Sequence, residues 1–77
     1  MNDAKLIKLI ADALEVQISD LVSSLQLDPE ENWDSIAHLS VITSADRILG
    51  VELDLERLAG CRSVQDLYDL LSSYVNV

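Results

Sequence analysis

The chain has 77 residues, of which 14 are acidic and 5 basic, so its formal net charge is -9 at pH 7. This length predicts a single domain spanning residues 1–77, and the negative charge argues against nucleic acid or an anionic membrane as a partner. Apolar residues make up 49% of the chain, which is too apolar for a disordered acidic tail. One cysteine and one histidine cannot build a Cys/His zinc site or an internal disulfide, so we expect no metal.

Two further features concern location and charge. No apolar run is long enough for a transmembrane helix and the first apolar segment does not resemble a signal peptide, so we expect a cytoplasmic protein. Between Lys8 and Arg47 there is no lysine or arginine. This window is either a solvated surface or a face that steers basic partners. Its acidic residues are Asp12, Glu15, Asp20, Asp28, Glu30, Glu31, Asp34 and Asp46.

The first predicted helix begins after Asp3, a suitable N-cap, and ends near Glu15. Its apolar residues recur at helical spacing: Leu6, Ile7, Ile10, Ala13 and Leu14. Residues 16 to 33 lack sustained periodicity and contain Pro29, which predicts a long loop, although Ser19 could cap a single turn within it. Five apolar residues are expected to pin this loop to the core: Val16, Ile18, Leu21, Leu25 and Leu27.

The second predicted helix begins at Asp34 and ends before Gly50, which suits a left-handed C-cap. Its expected core stripe consists of Ile36, Leu39, Ile42, Ala45 and Leu49, widened by Val41 and Ile48.

A brief third helix over residues 55 to 59 is predicted between Asp54 and Gly60. The last helix follows Ser63, which forms a variant of the capping box with Asp66. No segment has a convincing strand pattern. The predicted fold class is therefore all-α: a small four-helix bundle of three longer helices and one short helix, with a long loop between helices 1 and 2.

Few residues in this chain are suited to catalysis. His38 is the only imidazole and is expected on a helix surface, and Cys61 is expected to be a buried small hydrophobe. We therefore predict no catalytic residues and no enzyme activity. Ser35, at the start of the second helix, is either an ordinary helix-start residue or the carrier of a covalent group. A phosphodiester on Ser35 would lie at the positive end of the helix dipole.

Taken together, four ordered blocks of the chain resemble an acyl carrier protein over essentially all 77 residues. Trp33-Asp34-Ser35-Ile36-Ala37-His38-Leu39 is similar to the family's Asp-Ser-Leu motif, in a form with tryptophan. The other three blocks resemble the ends of the family's first two helices and the start of its last. They are residues 13 to 16 followed by Leu21, residues 48 to 53, and residues 63 to 67.

The resemblance implies a function. Ser35, within the motif Asp34, Ser35 and Ile36, would carry 4'-phosphopantetheine, transferred covalently from coenzyme A by a phosphopantetheinyl transferase. The thiol of this arm would hold acyl intermediates as thioesters and present them to partner enzymes. Those partners would be an acyl- or aminoacyl-loading ligase and acyl-transferring enzymes of fatty acid or polyketide biosynthesis. The carrier itself is expected to be a monomer.

The resemblance also implies a partner-binding surface on the second helix: Asp34, Ile36, Ala37, Leu39, Ser40, Thr43, Asp46 and Arg47. Ser40 and Arg47 stand where fatty acid synthesis carriers commonly have acids. This difference favours a dedicated pathway over bulk fatty acid synthesis. Trp33 is either a core anchor or part of the partner-facing surface, and we favour the anchor because tryptophan is highly buried on average.

Two other functions remain open at this point. The first is an unmodified helical protein–protein interaction module of the same fold, in which Ser35 only begins a helix. The second is a small hydrolase that uses Ser35 and His38, although no third group is evident to orient the imidazole. Neither the cargo nor the pathway can be read from the sequence.

Overall fold

The computed structural model describes residues 2–75, and four helices dominate this range. They are α1 (Ala4–Leu14), α2 (Ser35–Leu49), α3 (Leu55–Ala59) and α4 (Val64–Val75). A single 3-10 turn, Ile18–Asp20, interrupts the long α1–α2 loop. Within residues 2–75 the only extended pairing is an isolated bridge between Gln26 and Ser63. The predicted all-α fold of three longer helices and one short helix is confirmed.

Three helices begin at an aspartate whose side chain caps the first turn. The Asp3 carboxylate accepts from the Lys5 N–H at 2.9 Å, and Asp34 accepts from the Ala37 N–H at 3.0 Å. Asp54 accepts from the Glu56 N–H at 2.9 Å. Each bond satisfies a backbone donor that has no partner inside the helix. The predicted caps of α1, α2 and α3 are confirmed.

The helix ends are less uniform than the starts. Gly50 ends α2 in the left-handed region at φ 66°, as predicted. Glu15 ends α1 in the same region at φ 58°, which is uncommon for a residue with a side chain. Gly60 follows α3 at φ -79°, an ordinary right-handed conformation.

The start of α4 is a shifted capping box. The Ser63 hydroxyl accepts from the Asp66 N–H at 3.2 Å. The Asp66 carboxylate accepts from the N–H of Arg62, one residue earlier than in the usual box, at 3.1 Å.

The core forms between α1, α2 and α4. Leu58 of α3 and large side chains from α1 and α4 fill it. Those of α1 are Leu6, Leu9 and Ile10, and those of α4 are Val64, Leu67 and Leu71. Helix α2 contributes smaller residues, Ala37, Val41 and Ala45. Their small volume lets the α2 backbone approach its neighbours closely.

The predicted core stripe of α2 was therefore wrong in part. Ala45 and Val41 are buried, and Ile42 and Leu49 are partly buried against the core. Ile36 and Leu39, however, are 73% and 63% exposed, and Ile48 is also exposed. The spacing of the larger apolar residues selected a face rotated away from the one that contacts α1.

The long α1–α2 loop is held against α4 by backbone hydrogen bonds. The Leu27 N–H donates to the Arg62 carbonyl at 2.9 Å, and the Val64 N–H donates to the Leu25 carbonyl at 2.9 Å. Leu21 and Leu27 are buried and Val16 and Leu25 partly so, which confirms four of the five predicted pins.

Two details of this loop differ from prediction. Ile18 is 55% exposed because it lies in the 3-10 turn on the surface of the loop. Ser19 lies inside that turn instead of capping a later one. Within the described residues no helix is long and apolar enough to cross a bilayer.

Candidate functional site

A hydrogen-bonded turn over residues 28 to 33 leads into α2. The Asp28 carbonyl accepts from the N–H groups of Glu31, Asn32 and Trp33 at 2.8 to 3.0 Å. The Asn32 side chain accepts from the Asp28 N–H at 2.7 Å and donates to the Gln26 carbonyl at 3.1 Å. The Asp28 carbonyl and the Asn32 side chain thus hold the turn at both of its ends. The turn fixes the direction in which the chain enters α2.

Trp33 anchors this turn in the core. Its side chain is 1% exposed, so the interpretation of Trp33 as a loop anchor is confirmed. The indole lies edge-to-face against the imidazole of His38, with ring centroids 4.6 Å apart and an interplanar angle of 73°. This pair ties the end of the loop to the first turn of α2.

The expectation that His38 lies on a helix surface was wrong. His38 is half-buried, and its Nε2 atom is buried with no hydrogen-bond partner among the described residues. The indole Nε1 of Trp33 is in the same condition. No sequence pattern identifies this contact, because Trp33 lies in a loop without periodicity and its position depends on how that loop returns to the core.

Ser35 is the first residue of α2 and is exposed. Its hydroxyl makes no hydrogen bond within residues 2–75, while the neighbouring Asp34 carboxylate caps the Ala37 N–H. The first backbone N–H groups of a helix have no intrahelical acceptor and lie at its positive end. The Ser35 hydroxyl is therefore accessible and close to donors that suit a phosphate.

An apolar groove of about 310 Å³ begins at Ser35 and runs between α2 and α3. Besides Ser35 it is lined by His38, Leu39, Ile42 and Leu55. Leu39 and Leu55 remain 63% and 54% exposed, so the groove is open along its length. An apolar chain that reached this groove would cover large side chains that are otherwise in contact with water.

A second groove, of about 290 Å³, lies on the α1 side of the same helix start. Acidic side chains Glu15, Glu31 and Asp34 are among those that line it. The start of α2 thus has an apolar surface on one side and an acidic surface on the other.

The residues of the expected partner surface do not all lie at the surface. Ala37 is only 8% exposed and packs in the core, and Ser40 is partly buried. The other six are exposed along α2 and its cap: Asp34, Ile36, Leu39, Thr43, Asp46 and Arg47. Ala37 therefore lies beneath this surface, and the larger apolar residues Ile36 and Leu39 are exposed on it.

The other groups considered for chemistry are poorly placed for it. Cys61 is buried, as predicted, and burial followed by the charge of Asp66 raises the pKa of its thiol from 9.0 to about 11. No hydrogen bond joins Ser35 to His38 among the described residues, and the imidazole packs on Trp33 instead. In residues 2–75 no three His, Cys, Asp or Glu side chains are grouped to hold a metal ion.

Comparison with known protein families decides the relationship. A family model described as "Phosphopantetheine attachment site" matches residues 4–71. The chain belongs to this family. Its members carry covalently attached 4'-phosphopantetheine, which confirms the resemblance and the cofactor it implied. Carrier domains of this family are not catalytic themselves and interact with modifying and acyl-handling enzymes. No curated protein sequence matches the chain significantly.

Proposed function

We propose that this chain is an acyl carrier whose 4'-phosphopantetheine arm is attached to Ser35. One observation carries the proposal: within the matched residues, Ser35 is an exposed hydroxyl at the first turn of α2, with no hydrogen-bond partner in the described structure. An attachment point must be reached by the active site of another enzyme. A hydroxyl engaged in a cap or buried in the core would not meet that need.

The surroundings of Ser35 fit the arm. A phosphodiester at this position meets the backbone N–H groups of the first turn and the positive end of α2. Asp34 holds that turn in place through its bond to the Ala37 N–H, so the donors do not have to be ordered on attachment. When bound, the arm supplies a terminal thiol that holds acyl groups as thioesters.

The chain's own residues present the arm and its cargo to other proteins. Ile36 and Leu39 expose large apolar surfaces next to Ser35, which suits docking against an enzyme. We propose that catalysis belongs to the partners, since Cys61 is buried and the half-buried imidazole of His38 packs on Trp33 without a bond to Ser35 among residues 2–75. These partners are the phosphopantetheinyl transferase that draws on coenzyme A, an acyl- or aminoacyl-loading ligase, and acyl-transferring enzymes.

A dedicated pathway is the finer part of the proposal. Along the exposed side of α2, Asp46 is the only acid beyond the motif, and Arg47 follows it directly. A partner that docks here meets a mixed surface in place of a row of carboxylates. We therefore propose partners distinct from those of bulk fatty acid synthesis, and a monomeric carrier that works in the cytoplasm.

The proposal is tested by arm transfer in solution. The purified chain is incubated with coenzyme A, Mg²⁺ and a phosphopantetheinyl transferase of broad specificity, and its intact mass is measured. We expect the wild type and the control Ser24→Ala, at an exposed position of the α1–α2 loop, to gain the mass of one arm, and Ser35→Ala to gain none. If the wild type stays unmodified while a control carrier is labelled, the chain is an unmodified interaction module instead.

A further inference from the structure

We infer that Asn32 is a positioning residue for arm transfer, because its side chain holds the turn that places the Ser35 hydroxyl before the transferase. The inference rests on the proposed function, since it concerns the reaction at Ser35. It goes further in naming a residue outside the motif that controls the rate of that reaction. Asn32 lies three residues before Ser35, is half-buried, and makes two hydrogen bonds through its side-chain amide.

One of these bonds reaches a segment that the start of α4 holds in place. Residues 23 to 27 lie against residues 62 to 65 through three backbone hydrogen bonds of 2.9 to 3.0 Å. Alternate residues of an antiparallel pairing bond to the partner segment. The residues on either side of Gln26 bond to the α4 side, so the Gln26 carbonyl faces the other way. It accepts there from the Asn32 Nδ2 atom at 3.1 Å.

The other bond holds the turn itself. The Asn32 Oδ1 atom accepts from the Asp28 N–H at 2.7 Å, and the Asp28 backbone carbonyl accepts in return from the Asn32 N–H at 3.0 Å. The two side-chain bonds need a donor and an acceptor on one short side chain, which an amide offers and an ionised carboxylate does not. Asn32 thus joins the segment at α4 to the turn that ends at Trp33 in the core.

Arm transfer depends on where the Ser35 oxygen lies. In this step the oxygen forms a bond to the β-phosphorus of coenzyme A, the phosphoanhydride bond breaks, adenosine 3',5'-bisphosphate leaves, and the hydroxyl proton passes to a base of the transferase. A displacement of about 1 Å can slow such a reaction about 100-fold. Ser35 is the first residue of α2, so its position depends on the entering turn, whereas Val41 and Ala45 hold the rest of α2 in the core.

The test separates the chemical step from docking. Initial rates of arm transfer are measured by intact mass for the wild type and Asn32→Ala over a range of carrier concentrations, with coenzyme A, Mg²⁺ and a phosphopantetheinyl transferase of broad specificity. We expect Asn32→Ala to lower kcat about tenfold and to leave the KM for the carrier within about twofold of the wild type. The KM persists because the exposed side of α2 keeps its place.

Two further variants serve as controls. Asn32→Asp keeps the acceptor for the Asp28 N–H and loses only the donor to Gln26, so its kcat should fall about threefold. Asp3→Ala also removes a side chain that bonds two backbone groups, but it does so at the start of α1. That end of α1 is opposite to residues 13 to 15, which line the groove at the start of α2. Asp3→Ala should therefore keep the wild-type kcat.

Amide hydrogen exchange shows whether the effect is local to the first turn of α2. The Ala37 N–H donates to the Asp34 carboxylate, so its exchange rate reports the opening of that turn. We expect this rate to rise in Asn32→Ala by a factor similar to the fall in kcat, and to stay unchanged in Asp3→Ala. A role of Asn32 in overall stability alone would change the Ala37 rate equally in both variants.

An Asn32→Ala carrier that folds and keeps the wild-type kcat, or that raises KM alone, would overturn this inference while leaving the proposed function intact. The same holds if Asp3→Ala lowers kcat as far. If Asn32→Ala does not fold, Asn32→Asp decides, and a wild-type kcat in that variant would overturn the inference. Failure of the wild type to accept any arm would overturn the proposed function, and the inference with it.

Discussion

Helices α1 and α2 use their apolar residues in opposite ways. Helix α1 buries its large side chains, such as Leu9 and Ile10, and exposes charged ones. Helix α2 buries small residues such as Ala45 and leaves Ile36 and Leu39 in solvent, beside Ser35. The apolar side chains of α1 are thus used for stability. The large apolar side chains Ile36 and Leu39 of α2 lie outside the core, and we propose that they contact partner molecules.

The same division holds for the two candidate nucleophiles. Ser35 lies at the surface and its hydroxyl has no hydrogen-bond partner among residues 2–75, whereas the Cys61 thiol is buried. The more nucleophilic group is the one kept away from solvent. A carrier whose working thiol is to come from its arm gains from this arrangement, since a second reactive thiol would compete for cargo. Substitutions in the interior and on the exposed side of α2 should therefore differ in their effects on stability and on partner use.

Truncating a core residue of α1 should have the largest effect on stability. Leu9→Ala removes a fully buried side chain and leaves a cavity, so we expect a loss of about 2–5 kcal/mol in unfolding free energy. Urea denaturation followed by circular dichroism measures it. The matched variant Leu39→Ala, on the exposed side of α2, should lose no more than about 0.5 kcal/mol. Similar losses in the two variants would contradict the difference between the buried side chains of α1 and the exposed side of α2.

The Cys61 thiol should react far more slowly in the folded chain than in the unfolded one. Burial, with a smaller contribution from Asp66, raises its pKa from 9.0 to about 11. Near pH 8 the thiolate population of the folded chain is then lower by about 100-fold. Alkylation by iodoacetamide, with and without urea, measures the ratio.

The pH dependence of that reaction has a defined sign. In the unfolded chain the rate should level off above pH 9.0, whereas in the folded chain it should keep rising until about pH 11. Because the folded pKa is the higher one, the thiol's contribution to stability is complete below pH 9.0 and is lost as the pH rises towards about 11. Equal alkylation rates with and without urea would show that Cys61 is not protected.

Removing the cap of α2 should have an intermediate effect. Asp34→Ala loses the bond to the Ala37 N–H, and we expect about 1 kcal/mol of destabilisation. Asp34→Asn can make the same bond and should lose much less. If instead Asn destabilises as much as Ala, the charge of Asp34 matters more than its capping bond. Thermal unfolding of the three proteins distinguishes these results.

Leu39→Ala should have the smallest effect on stability but a clear effect on partner use. Leu39 is 63% exposed next to Ser35, so we expect arm transfer at low carrier concentration to slow about tenfold through lost docking contact. Val22→Ala, at a position 51% exposed in the α1–α2 loop, is the matched control and should transfer normally. Equal rates for both variants would argue against a docking role for the exposed side of α2.

The sequence predicted those parts of the fold that depend on local chemistry. Aspartate caps, the left-handed Gly50 and the start of α4 follow from short-range hydrogen bonding, and each lies where expected. The buried face of α2 followed only in part: Val41 and Ala45 were predicted in the core stripe and are buried, whereas Ala37 was left out, because its burial depends on how closely the neighbouring helices approach. Periodicity gives the larger Ile36 and Leu39 more weight, and it therefore placed these two exposed residues in the core stripe.

The residues of the candidate site also differ in whether a local sequence pattern could indicate them. Ser35 could be proposed as the attachment point from its motif, because that signal lies within a few neighbouring residues, and the assignment stays a prediction. The contact between Trp33 and His38 could not be predicted, since it depends on how the loop returns to the core. The prediction that Ile18 contacts the core was wrong for the same reason. Ile18 lies in a surface 3-10 turn of a loop without periodicity, so no sequence pattern indicates that it is exposed.

The central claim, that Ser35 carries the arm, is tested most directly on protein isolated from its own cells. Intact-mass analysis followed by fragmentation shows both whether the arm is present and where it is attached. We predict the mass of one phosphopantetheine arm, with or without cargo, on the fragment that contains Trp33, Asp34 and Ser35. A chain that carries no arm under conditions in which other carriers of that cell are modified, or an arm on another residue, would contradict the account.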